Sequence, residues 1–162
     1  MIKRAIAIAV LAYCAFLAEF VLYNAFGPLA KPELMLLLVI FCNLYWGIRY
    51  SLWAAFAAGI LKDAFGGGPL CTQVFVYIAA AYLTLFVRRN FYQPGSRFSR
   101  AVVAFIVLAG VFVLETIMHM RLFEVRVNEA VVFILLPQTA VTMLAATFVF
   151  HRLRDAVVKF KL

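Results

Sequence analysis

Apolar residues fall into six long blocks, separated by charges and by Gly/Pro turns, at about residues 5–26, 33–48, 50–65, 69–87, 101–120 and 130–150. A helix that crosses the hydrocarbon core needs about 17 to 25 residues at about 1.5 Å rise each. Each block therefore predicts one spanning helix, with the second and third short. The first block, "AIAIAVLAYCAFLAEFVLYNAF", is too long for the core of a secretory signal, carries Glu19 and lacks a small-x-small cleavage site. It reads as a retained helix.

Composition agrees with the pattern. Of the 162 residues, 67% are hydrophobic and 14% charged, and the mean hydropathy is +1.03. A soluble domain carries about 25% charged residues, and no soluble core of this size hides so much apolar surface. The expectation is an all-α integral membrane protein, a single polytopic transmembrane domain over 1–162.

The charges orient it. With six spans and the N-terminus inside, Lys3, Arg4, Arg49, Arg88, Arg89, Arg97, Arg100, Arg152, Arg154, Lys159 and Lys161 fall on the inner side, and only Lys31, Lys62, Arg121 and Arg126 on the outer. That asymmetry is the one the positive-inside rule demands, and it places both termini in the cytoplasm. Joining 34–61 into one helix would give five spans, turn the arginine-rich 88–100 segment outward and leave Arg49 deep in the bilayer at about 2.5 to 3.5 kcal/mol. The net charge of +8 is then topology, with anionic lipid as counter-charge, and not a nucleic-acid footprint. Glu33, Asp63, Glu124 and Glu129 are assigned to the outer segments, and Glu19 and Glu115 to spans.

Enzyme chemistry finds little support. His119 and His151 are predicted near opposite membrane faces, and no serine or cysteine sits in a nucleophile motif. Cys14, Cys42 and Cys71 are far apart and fit no metal spacing or disulfide framework. No cofactor, metal or catalytic residue is expected.

The third block has a stronger pattern. Gly47, Ser51, Ala55 and Gly59 recur every four residues and would form one small-residue ridge on a helix, with Asp63 as the next step. Such a ridge lets another backbone approach closely, either inside the bundle or in a partner's transmembrane helix. Asp63 stands at the C-terminal, outer end of that helix, against the helix dipole. The turn that follows, Gly66, Gly67, Gly68 and Pro69, exposes amide groups, so Asp63 is expected to accept hydrogen bonds from the backbone of residues 66–72 and pin the hairpin.

Other polar residues lie at similar depth. Glu19, Glu115, His119 and Gln138 each fall in the outer half of a span, and polar residues there tend to face the bundle interior or a wet cavity. They mark a possible outer pocket, with interhelical hydrogen bonding as the alternative. On the inner side, "RRNFYQPGSRFSR" is expected to form a basic loop with Arg88, Arg89, Arg97 and Arg100, serving orientation and lipid contact or docking a cytoplasmic partner.

Residues 31–89 resemble the rod-shape-determining membrane protein MreD family. The resemblance is carried by Pro32, Glu33 and Leu34 at the start of the second span, Trp46 and Gly47 near its end, Gly59, Leu61 and Asp63 in a G-x-L-x-D turn, and Gly68, Pro69 and Leu70 after it. Lys62 is charged where the family is often apolar or neutral, and Cys71 stands where a glycine is common. The resemblance implies a non-enzymatic subunit of the cell-elongation complex in the bacterial cytoplasmic (inner) membrane. It would support rod shape and peptidoglycan synthesis by binding the bitopic periplasmic scaffold MreC, beside MreB, RodA and RodA's partner transpeptidase. It also implies a six-helix fold like the substrate-binding component of energy-coupling-factor transporters. The alternative is such a vitamin-type transport component, with Tyr23, Phe75 and Phe123 as aromatic lining for its pocket.

Overall fold

The computed structural model describes residues 2–27, 32–66, 71–91, 97–122 and 138–150. They form six helices, and no strand occurs among the described residues: α1 Ile2–Phe26, α2 Leu34–Trp46, α3 Ile48–Gly66, α4 Thr72–Phe91, α5 Arg97–Leu122 and α6 Gln138–Phe150. Helices α1, α4 and α5 each contain 20 residues long and apolar enough to cross a membrane, whereas α2 and α6 are shorter apolar helices. The protein is thus an all-α integral membrane protein. Large side chains such as Trp53, Phe56, Phe86, Phe105 and Val113 are exposed, the surface that lipid rather than water tolerates.

The six helices fall on the six apolar blocks, with shifted ends. Residues 130–137 of the last block lie outside the described residues. Arg88 and Arg89 belong to the last turn of α4, and Arg97 and Arg100 to the first turn of α5, so the expected basic loop is largely two helix ends. Residues 92–96 between them lie outside the described residues.

Helix α2 is the axis of the bundle. Every residue from Met35 to Leu44 is buried, and α1, α3 and α4 all pack on it. From α6, the ring of Phe150 stacks on Phe41 at 6.3 Å. A helix apolar all round is stable only in such surroundings. Its 13 residues reach about 20 Å, short of the roughly 30 Å hydrocarbon core, and this is tolerable because its ends meet protein instead of lipid.

One residue turns the chain from α2 into α3. Gly47 has φ +90°, its N–H donates to the Cys42 carbonyl at 3.0 Å, and its own carbonyl accepts from Ser51 N–H at 3.2 Å. A side chain there would be strained, which explains the glycine. Polar ties then lock the axis: the Ser51 hydroxyl donates to the Val39 carbonyl at 3.0 Å, and the Asn43 amide donates to Ala81 of α4 at 2.7 Å. At the C-terminal end of α2, Arg88 donates to the Asn43 carbonyl, and Arg100 to the Tyr45 hydroxyl at 2.8 Å.

Candidate functional site

The α3–α4 hairpin is built by Gly59 and Asp63. A Cβ placed on Gly59 would lie 2.5 Å from the Cα of Val74, so the two backbones touch only because residue 59 has no side chain. One turn later, Asp63 reaches across that contact. Its Oδ1 accepts from Gln73 N–H at 3.0 Å and its Oδ2 from Val74 N–H at 3.3 Å. Gln73 and Val74 lie one and two positions beyond the expected range of 66–72, where α4, which begins at Thr72, has free donors in its first turn, and residues 67–70 lie outside the described residues. A carboxylate at a helix N-terminus gains from the positive end of the dipole and is worth about 1 to 2 kcal/mol. Gly66 closes α3, whereas Gly67, Gly68 and Pro69 lie outside the described residues.

The small-residue ridge is spent inside the bundle. Ser51 and Ala55 are fully buried, and Gly59 meets α4. Gly47 has nothing within 4 Å of its would-be Cβ and acts as the α2–α3 hinge instead.

A second cluster surrounds the N-terminus of α2. Glu19, buried in α1, accepts from Met35 N–H at 2.8 Å and so caps α2 from a neighbouring helix. Glu33 precedes α2 and is 7% exposed. Its Oε1 accepts from the Lys62 ammonium at 2.8 Å and from the Gln138 amide at 2.9 Å, and its N–H donates to the Thr142 hydroxyl at 3.1 Å. Lys62 also donates to the Tyr77 hydroxyl at 3.0 Å. Five groups thereby tie the start of α2 to α3, α4 and α6. Beside Glu33 is a partly open cavity of about 20 Å³, lined by Glu33, Leu36, Leu108, Val111, Phe112, Glu115, Gln138, Thr139 and Thr142.

Sequence reasoning found part of this cluster. Glu115 and Gln138 do line one cavity, and Glu19 lies at the same end of the bundle as a buried cap. The side chain of His119 lies outside the described residues. Glu33 and Lys62 were expected as outer-segment charges, but they form a buried ion pair, with side chains 10% and 15% exposed. One signal was available, that both charges abut apolar blocks, but only folding brings residues 29 positions apart within 2.8 Å. Tyr23 and Phe75 are exposed on the helix surfaces and do not line this cavity, and Phe123 lies outside the described residues.

The model of one protein family, the rod shape-determining protein MreD, matches residues 2–154. The chain belongs to the MreD family. No curated protein and no solved structure matches it. Several residues that carry the MreD resemblance have physical tasks here: Gly47 is the hinge, Gly59 the close approach, Asp63 the cap and Glu33 the hub of the buried cluster.

Cys71 has φ +72° just before α4, and its side chain is exposed. The left-handed region costs a non-glycine residue about 1 to 2 kcal/mol, part of which is offset by the freedom glycine gains when unfolded. Cys71→Gly is expected to stabilise the protein by about 0.5 to 1 kcal/mol, read as a higher thermal midpoint in detergent.

Proposed function

We propose that this protein is a non-enzymatic membrane subunit of the bacterial cell-elongation complex. It would bind an MreC-like bitopic scaffold in the cytoplasmic membrane and so support rod shape and peptidoglycan synthesis. Membership of the MreD family over nearly the whole chain carries the reading. The arginine distribution supports six spans with both termini in the cytoplasm, which puts the Glu33 cluster and the Asp63 hairpin in the outer half. A periplasmic scaffold anchored by one helix would meet that half first. MreB, RodA and RodA's transpeptidase would join through the same complex.

The transport alternative is less well supported. The cavity at Glu33 is water-sized, whereas small-molecule pockets run to about 300 to 1,000 Å³.

Affinity purification of the full chain from rod-shaped cells, followed by mass spectrometry, tests the proposal. The expected result is stoichiometric co-purification of a bitopic scaffold with a large periplasmic domain, and rounding of cells depleted of the protein. Depleted cells that keep their rod shape, or co-purification with an energy-coupling ATPase and a bound vitamin, would overturn it.

A further inference from the structure

The cavity beside Glu33 has a chemical preference. Oε1 of Glu33 already accepts from Lys62 and Gln138, while Oε2 is buried and accepts no hydrogen bond among the described residues. A buried acceptor left without a donor costs about 1 to 3 kcal/mol, more when it is charged, so the site favours a group that supplies one. The cavity's roughly 20 Å³ admit one group the size of a water molecule.

We propose that this cavity takes a primary ammonium carried on an alkyl stem. An –NH3⁺ group matches a water molecule in size and supplies three donors. Oε2 of Glu33 would accept one, and Glu115 and Thr139 make the same wall polar. Leu108, Val111 and Phe112 supply an apolar flank for the stem. A bare hard cation fits less well, because it takes about six or more oxygen ligands and Leu36, Leu108, Val111 and Phe112 offer none from their side chains. Lys62 on Oε1 is no bar to a second cation, since Glu33 and Glu115 bring two carboxyl groups to the wall of this cavity. A lysine side chain of a partner's membrane helix and the aminoethyl head of a phospholipid share this chemistry.

The test needs no partner, so it stands or falls apart from the assignment to the elongation complex. The full chain in phosphatidylglycerol nanodiscs is titrated with butylammonium while thermal unfolding is followed, with tetramethylammonium and sodium as controls. Butylammonium is expected to raise the midpoint saturably, by about 2 to 5 °C at ten times its dissociation constant. Tetramethylammonium, which has no N–H, is expected to do nothing. Val111→Phe, which fills the cavity while leaving Glu33, Lys62 and Gln138 unsubstituted, should abolish the shift, and Glu115→Gln should weaken it. The same rise on adding phosphatidylethanolamine assigns the site to a lipid head. A rise with an apolar helical peptide bearing one lysine, and none with that lipid, assigns it to a partner side chain. The proposal is overturned by an equal response to sodium or tetramethylammonium, by a shift that survives both substitutions, or by no shift.

Discussion

Gly59→Ala is expected to lower the thermal midpoint by about 6 to 12 °C, equivalent to about 3 kcal/mol for a chain of this size. The added Cβ would sit 2.5 Å from Val74 Cα and 2.8 Å from Val74 N. These are backbone atoms within α4 and cannot rotate away, so the two helices must separate. Separation also stretches the Asp63 bonds to Gln73 and Val74, so the cap and the close packing fail together. Gly110→Ala is the control. There the new Cβ would meet the tip of Leu83 at 2.5 Å, a flexible side chain that can change rotamer. Because alanine gains about 1 kcal/mol of helix propensity over glycine, that variant should lie within about 1 kcal/mol of the parent. Thermal unfolding of both variants in the same detergent decides the matter, and equal losses would show that the α3–α4 approach is not special.

Lys62→Met is expected to cost about 3 to 5 kcal/mol, because it leaves Glu33 buried with the neutral Gln138 amide as the remaining side-chain donor to its carboxylate among the described residues. Most of that cost is the stranded charge rather than the lost attraction. Adding Glu33→Gln to Lys62→Met should therefore recover more than half of the stability, since a neutral amide is far cheaper to bury than an unpaired carboxylate. The comparison is a double-mutant cycle on folded yield and thermal midpoint. A double variant no better than Lys62→Met would mean that the pair contributes through shape and not charge.

Six apolar blocks, read at helical rise, located all six helices and the membrane class, because hydrophobic length in a bilayer is a one-dimensional property of the chain. The close approach at Gly59 and the turn after Asp63 were also legible as patterns, since small residues at a fixed spacing allow backbones to touch, whereas Gly47, read as part of the same ridge, is the α2–α3 hinge. What Asp63 bonds to was legible only approximately. Its donors begin where α4 begins, and helix ends are set by packing to within a residue or two.

Other features were open to misreading. Glu33 and Lys62 sit at the edges of apolar blocks, where charges ordinarily face water, and local pattern alone assigned them to outer segments. Their burial depends on α2 being a short axis surrounded by its neighbours, which brings the starts of α2 and α6 together with Glu19 of α1 and Lys62 of α3. The small-residue ridge offered an inward and an outward reading, and only the position of α4 against Gly59 settled which face was used.

The sequence by itself determined the all-helical membrane architecture, the family and the places where backbones must turn or touch. Periodicity, apolar length and glycine spacing depend on neighbours along the chain. The tertiary structure decided which charges meet, that Glu33 joins α2 to α3 and α6, and that a water-sized cavity lies beside it. Hydrogen bonds and cavities arise between residues as many as 109 positions apart, and that proximity exists only once the helices have packed.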